Sequence, residues 1–235
     1  YRLNYSITEK VSSIDKIKNE IIRACLKLLE IDTPLSISTY SDLPANSGLG
    51  SSSSFCVGLL NALHHYLGES VTVGQLADEA CKVEIEILKN VIGKQDQYIA
   101  AYGGFNNIIF SKNNSVQIEP INLKLNQINY LFENSILVWS GVKRDAAKVL
   151  TKQNDNTKKN IIYLNKLVSN CKSFKSLIKN YNKKNILRKT GKLLGQSWEQ
   201  KKSLNKSISS KYLNAIHENI ISMGGFGGKL CGAGA

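Results

Sequence analysis

The sequence predicts a mixed helix-and-strand chain as far as about residue 140, then basic helices, then a glycine-rich end. Three observations carry this. Apolar residues recur at helical spacing over residues 14–31 and 55–67, while residues 35–40 alternate apolar and polar as a strand does. Residues 144–222 keep helical spacing, are rich in Lys and hold no strand signal. The last twelve residues contain 6 of the 17 glycines.

The elements follow in order. Ile14, Ile17, Ile21, Ile22, Leu26 and Leu29 line one helical face, and Thr33-Pro34 breaks it. The strand at 35–40 leads into a loop over 42–50, then four serines and an apolar helix ended by Gly68. Thr72 caps a helix over 73–90, with Gln75 in capping-box position. A short segment from Gly93 reaches Tyr102. Gly103-Gly104 then turns into a strand at 105–110, with further strands expected at 116–118 and 136–139. The composition shift near residue 140 is the candidate domain boundary.

With 235 residues, 42% apolar and 21% charged, the chain has ordinary globular composition and enough length for one large core or two small ones. This excludes a disordered polymer, a collagen-like repeat and a disulfide-dense mini-protein. No stretch approaches the ~18 apolar residues of a membrane-spanning helix, and residues 1–10 lack the pattern of a signal peptide. Five cysteines are widely scattered without a Cys-x-x-Cys pair, which argues for reduced thiols, as in a cytoplasm. The net charge of +13 is local. Residues 143–211 carry 17 Lys and 2 Arg against three acids, so the rest is slightly acidic. With only four arginines in the chain, the segment reads as solvated helix faces rather than a base-reading surface. The chain opens on Tyr1 and closes in a Gly run, as an internal portion of a longer protein would.

Three segments carry chemistry. The first runs from Leu43 to Ser54 and enters a helix directly. Its glycines let the backbone turn with amides facing a ligand, and the helix start adds unpaired N–H groups and a positive dipole end. Serine hydroxyls can bond phosphate oxygens or coordinate Mg²⁺. It matches neither Gly-x-x-x-x-Gly-Lys-[Ser/Thr] nor Gly-x-Gly-x-x-Gly. The second is Glu84, which falls inside the apolar stripe of Val73, Leu76, Ala77, Ala80, Ile87 and Leu88. A carboxylate facing a core needs a partner, either a metal ion or a Lys or Arg from another element. The third is Gly93-Lys94-Gln95-Asp96-Gln97-Tyr98. Near a helix start, Asp96 would have its anionic form favoured, suiting it to orient a hydroxyl or simply to cap the helix.

Residues 44–53, Pro-Ala-Asn-Ser-Gly-Leu-Gly-Ser-Ser-Ser, resemble the phosphate loop of the GHMP small-molecule kinases, which include galactokinase, homoserine kinase and mevalonate kinase. Glu84 through Asp96 resembles that family's acidic segment, and residues 224–234 resemble its third, glycine-rich motif. Within the family, residues 93–98 with Gly103-Gly104-Phe105-Asn106, and residues 197–202, are similar to the D-glycero-D-manno-heptose 7-phosphate kinases.

The resemblance implies an α+β fold in two parts. Residues 1–135 would form a nucleotide-binding domain without the family's first motif. Residues 136–235 would form a ferredoxin-like and helical domain without its last strands. It implies ATP and Mg²⁺ as cofactors. Asn46, Gly48, Leu49, Gly50, Ser51, Ser52 and Ser53 would hold the nucleotide, Ser52 and Glu84 would hold Mg²⁺, and Asp96 would be catalytic. Arg144 and Lys201, with Lys202 beside it, would take the phosphate of a sugar phosphate phosphorylated at its anomeric hydroxyl. The product would feed nucleotide-activated heptose. Another sugar 1-kinase, of fucose or galactose type, is the alternative, as is a catalytically silent nucleotide-binding module. Neither a nucleic acid nor a membrane is an expected partner; a homodimer is left open.

Overall fold

The computed structural model describes residues 1–42, 47–141 and 157–232. They fall into two compact units, Tyr1–Gly104 and Phe105–Ala235.

In the first unit, β1 (Arg2–Asn4), β2 (Thr8–Lys10) and β3 (Ser36–Ser38) form a sheet of order β2-β1-β3. β1 pairs antiparallel with β2 and parallel with β3, setting Leu3 opposite Glu9 and Ile37. Helix α1 (Glu20–Leu28) is shorter than the periodicity predicts: residues 14–16 form a separate 3₁₀ turn. Asn19 imposes the break, because its side chain accepts from the Ile22 amide and caps a new helix there. Glu9 fixes the approach by accepting from the Lys18 and Asn19 amides.

Helix α2 (Ser51–Tyr66) begins within the serine run, four residues before the apolar stretch. It packs against α1, α3 (Val73–Cys81) and α4 (Gln95–Tyr102). Leu3, Ile22, Leu26, Leu60 and Val83 make the fully buried centre. Residues 73–90 are not one α-helix. After Cys81 the chain widens into a π-helical turn, Lys82–Ile87. Its signature is Leu88 N–H bonding to Val83 O, five residues back, and Asn90 N–H then closes the turn on Glu84 O. The wider turn rotates the part of the stripe that follows it, taking Ile87 outward, while Val73, at the start of α3, is exposed independently of it. Leu76, Ala80, Val83 and Glu84 are buried, while Val73 and Ile87 come to the surface. Tyr98 ties α4 to α3 by donating to Asp78 at 2.5 Å.

In the second unit, β4 (Asn106–Phe110) and β5 (Val116–Pro120) form an antiparallel hairpin. Helices α5 (Leu125–Glu133), α6 (Thr157–Lys179), α7 (Ile186–Leu204) and α8 (Lys211–Ser222) follow. The strand expected at 136–139 does not form. Its residues Ile136 to Trp139 are exposed, and no described strand offers a ladder partner. α6 packs along α7 around Trp198, Leu204 and Ile208. Lys175 bonds Glu119 and thereby joins α6 to β5. None of the described helices is long and apolar enough to cross a membrane.

Candidate active site

The phosphate-loop segment is shaped by two left-handed glycines, Gly48 (φ 77°) and Gly50 (φ 73°). Gly50 is the residue just before α2, so the turn delivers the chain straight into the helix. The first intrahelical bond runs from the Ser54 amide to Gly50 O at 2.9 Å. The amides of Ser51, Ser52 and Ser53 therefore precede the helix ladder and gather at its positive end. The left-handed torsion is the reason that a glycine stands at position 50, and its place also brings the turn beside Asp96. A Cβ built there would lie 3.4 Å from Cβ, Cγ and Oδ2 of Asp96. The loop and Asp96 are in contact.

Glu84 is the hub beneath this turn. Its side chain is 1% exposed and sits on the π-helical turn. Ser52 Oγ donates to Oε1 at 2.5 Å, Ser53 Oγ to Oε2 at 2.7 Å, and Gln97 Nε2 to Oε2 at 2.6 Å. The two oxygens are thus unequal: Oε2 is held by two buried donors, whereas Oε1 faces the exposed hydroxyl of Ser52. Among the described residues, no Lys or Arg forms an ion pair with Glu84. Three neutral donors compensate the buried acid without supplying a counter-charge.

Asp96 lies in the first turn of α4. Contrary to the expectation from the helix start, its pKa is raised, first by burial and then by the charge of Glu84. The side chain opens at the surface, yet the atoms crowding it remove enough hydration to disfavour its charged form.

The donors fit a hard divalent cation. Glu84 Oε1 and Ser52 Oγ are oxygen ligands at the lip of the loop, and a buried acid without a counter-charge is what a cation would neutralise. The described residues hold no group of three or more metal-ligating side chains. Mg²⁺ fits this set because it commonly takes one or two carboxylates and completes its shell with water and nucleotide phosphates.

The expected residues Gly48, Leu49, Gly50, Ser51, Ser52, Ser53, Glu84 and Asp96 thus all fall in one region of the first unit. The Ser53 side chain has a task of its own. Its hydroxyl is buried on Glu84, leaving only its amide for a nucleotide. Lys201 belongs to the second unit, where its ammonium bonds Gly232 O. Asn46 and Arg144 lie outside the described residues. Gln97, fully buried, is the participant that the sequence reading missed. The available signal was its place one residue after Asp96, about 100° further round the helix and so turned inward.

Residues 18–104 match the family model described as GHMP kinases N terminal domain. The D-glycero-alpha-D-manno-heptose 7-phosphate kinase of Campylobacter jejuni is 30% identical over 230 residues, which is 96% of this chain and 65% of the relative. The galactokinase of Pyrococcus furiosus is 28% identical over 222 residues, 82% of this chain and 60% of that protein. The chain thus spans somewhat less than two thirds of the length of these curated relatives. Among solved structures, a D-glycero-D-manno-heptose 1-phosphate kinase from "Bacteriodes thetaiotaomicron" superposes with a TM-score of 0.71 at 23% identity, covering 99% of this chain and 70% of that one. Loop geometry and family match agree over residues 18–104, where the chain carries a GHMP kinase N-terminal domain.

Proposed function

We propose that the full-length protein is an ATP-dependent sugar kinase. Its acceptor would be the anomeric hydroxyl of a sugar phosphate, D-glycero-D-manno-heptose 7-phosphate. The observation that carries this is the convergence of Gly50, Ser52, Glu84 and Asp96 at one helix start. Similarity to the heptose 7-phosphate kinase of Campylobacter jejuni supports the choice of acceptor.

Each residue has a part that its geometry can perform. The amides of Gly50, Ser51, Ser52 and Ser53 bind the transferring phosphoryl group and its neighbour at the helix end. Ser52 Oγ and Glu84 Oε1 would hold Mg²⁺, which when bound neutralises charge on the nucleotide phosphates. Gln97 and Ser53 keep Glu84 in place from behind. Asp96 accepts the acceptor hydroxyl's hydrogen bond and takes its proton at a carboxylate oxygen. In a loose phosphoryl-transfer transition state that proton moves late, so placing the hydroxyl matters more than early deprotonation. A raised pKa also makes Asp96 a better proton acceptor than an ordinary aspartate. Lys201 in the second unit is a cation for the acceptor's own phosphate, and Arg144 is proposed alongside it.

ADP release by the full-length protein, measured against free and phosphorylated hexoses and heptoses, tests the reading. Preference for the 7-phosphorylated heptose supports it. Preference for free galactose or fucose would move the protein to that class of acceptor. ATP binding without turnover of any sugar would leave a silent nucleotide-binding module.

A further inference from the structure

Within the second unit, three elements bring together several polar groups, two of which no described neighbour satisfies. On α7, Trp198, Lys201 and Lys202 share one face at spacings of three and four. Trp198 is 2% exposed, yet its indole N–H has no hydrogen-bond partner among the described residues. His217 of α8 lies beside it, with ring centroids 6.4 Å apart, and its Nε2 is also buried and unpartnered. The glycine-rich segment after α8 forms the third side. Gly228 approaches the His217 ring, Leu230 packs on the Trp198 cluster, and Gly232 O accepts from the Lys201 ammonium.

The charges here are only partly compensated. Lys202 is paired with Glu199 at 2.7 Å. Neither Lys201 nor Lys229 forms an ion pair with any described carboxylate. Burial, and then the charge of Lys229, pushes the Lys201 pKa down to about 8, with Cys231 opposing. Lys229 follows Gly228, whose place is beside His217, and precedes Leu230, which packs on the Trp198 cluster, so its charge bears on the partly dehydrated Lys201, unfavourably until an anion joins them. A doubly charged oxyanion supplies both the charge and the acceptor atoms that an ammonium pair and an indole N–H require.

We propose that Lys201, Lys229, Trp198 and His217 form a subsite for a phosphate-monoester dianion. If the kinase reading holds, on which this part rests, the dianion is the acceptor sugar's own phosphate. A nucleotide phosphate shares the chemistry and is the other source.

The chain has two tryptophans, so Trp139→Phe leaves Trp198 as its only indole. Titration of that variant with inorganic phosphate at constant ionic strength should change its fluorescence saturably. Lys229→Met, at an exposed position, and Lys201→Met should each weaken the response by about tenfold or more. A response matched by chloride, or one untouched by Lys229→Met, overturns the subsite. Kinetics then separate the sources. A KM raised for mannose 6-phosphate or the heptose phosphate, but not for ATP, with kcat held, identifies the acceptor. A KM raised for ATP alone identifies the nucleotide and overturns the acceptor assignment. Saturable phosphate binding without turnover of any sugar keeps the subsite and removes the kinase reading. Turnover with no phosphate response does the reverse.

Discussion

Gln97 Nε2 donates to Glu84 Oε2 at 2.6 Å, on the same oxygen that accepts from Ser53. The amide must present its nitrogen there, because its oxygen would face a carboxylate oxygen. Gln97 therefore decides which oxygen of Glu84 is left to Ser52. It acts through Glu84 and is a positioning residue.

Gln97→Met keeps the volume and removes the donor. The variant should lose about 1–2 kcal/mol of stability, because a buried acid gives up one of three hydrogen bonds. It should also require more Mg²⁺ for tight ATP binding, since Glu84 can then turn. Denaturant unfolding and a Mg²⁺ titration of ATP affinity check the two effects. An unchanged metal requirement beside lost stability would leave Gln97 a packing residue only.

Asp96→Asn should abolish turnover while ATP still binds, and it should stabilise the protein near neutral pH. The sign follows from the raised pKa. Folding binds a proton more tightly at Asp96 than the unfolded chain does. Stability is therefore lost as pH climbs through the window above the ordinary aspartate value, and the ionised carboxylate is a cost at neutrality. Asn removes that cost. Comparing thermal midpoints of the two proteins at pH 7 and at pH 4 should show the variant's advantage shrinking at the lower pH. A variant with near-normal kcat would take Asp96 out of the catalytic role.

Much of this site is legible in the sequence because each part rests on a local rule. Gly48 and Gly50 mark a left-handed turn, Ser51 to Ser54 mark a helix start, and Glu84 is out of place in an apolar stripe. What escaped depends on geometry that a fixed period cannot carry. The 3.6-residue period extends one α-helix through residue 90, but the π-helical turn at Lys82–Ile87 resets the facing of each later residue. Glu84 stays inward and Ile87 does not. Asp96 misled for a related reason: the helix-start rule is local, whereas its pKa is raised first by burial among groups brought there by the fold and then by the charge of Glu84, twelve residues away. The expected strand at 136–139 has the right composition, but a ladder needs a partner that alternation alone does not reveal.

His64 offers a second pH test, unconnected with catalysis. It is 3% exposed, with Nδ1 at 2.6 Å from Glu69 and Nε2 at 2.6 Å from Glu79. Burial pulls its pKa down, but the hydrogen bonds to Glu79 and Glu69, with their charges, outweigh this and raise it. Its stabilisation is then complete below about pH 6.5, the unfolded value. It fades as pH rises through the higher folded value. His64→Gln should cost about 1–2 kcal/mol at pH 6 and clearly less at pH 9. Equal losses at both pH values would mean that the ring acts only by packing.

Gly191→Ala should be the most damaging small substitution in the second unit. Gly191 is buried on α7, and a Cβ there would lie 2.5 Å from Phe226 Cβ and 2.7 Å from the Phe226 carbonyl carbon. Backbone cannot retreat as a flexible side-chain end can. A Cβ at Gly227 would in turn collide with Gly191 O, so the two glycines let the glycine-rich segment lie directly on the helix. Alanine ordinarily stabilises a helix interior by up to about 1 kcal/mol over glycine. Here overpacking of about 1–3 kcal/mol or more opposes that gain. A net loss in thermal stability is expected, together with weaker phosphate response at Trp198, because the segment carrying Lys229 and Gly232 is displaced. Gly195→Ala is the control on the same helix. Its Cβ would approach only Gly227 Cα, at 4.0 Å, so the helix-propensity gain should survive. If both variants are equally stable, the close approach of the segment to α7 is wrong.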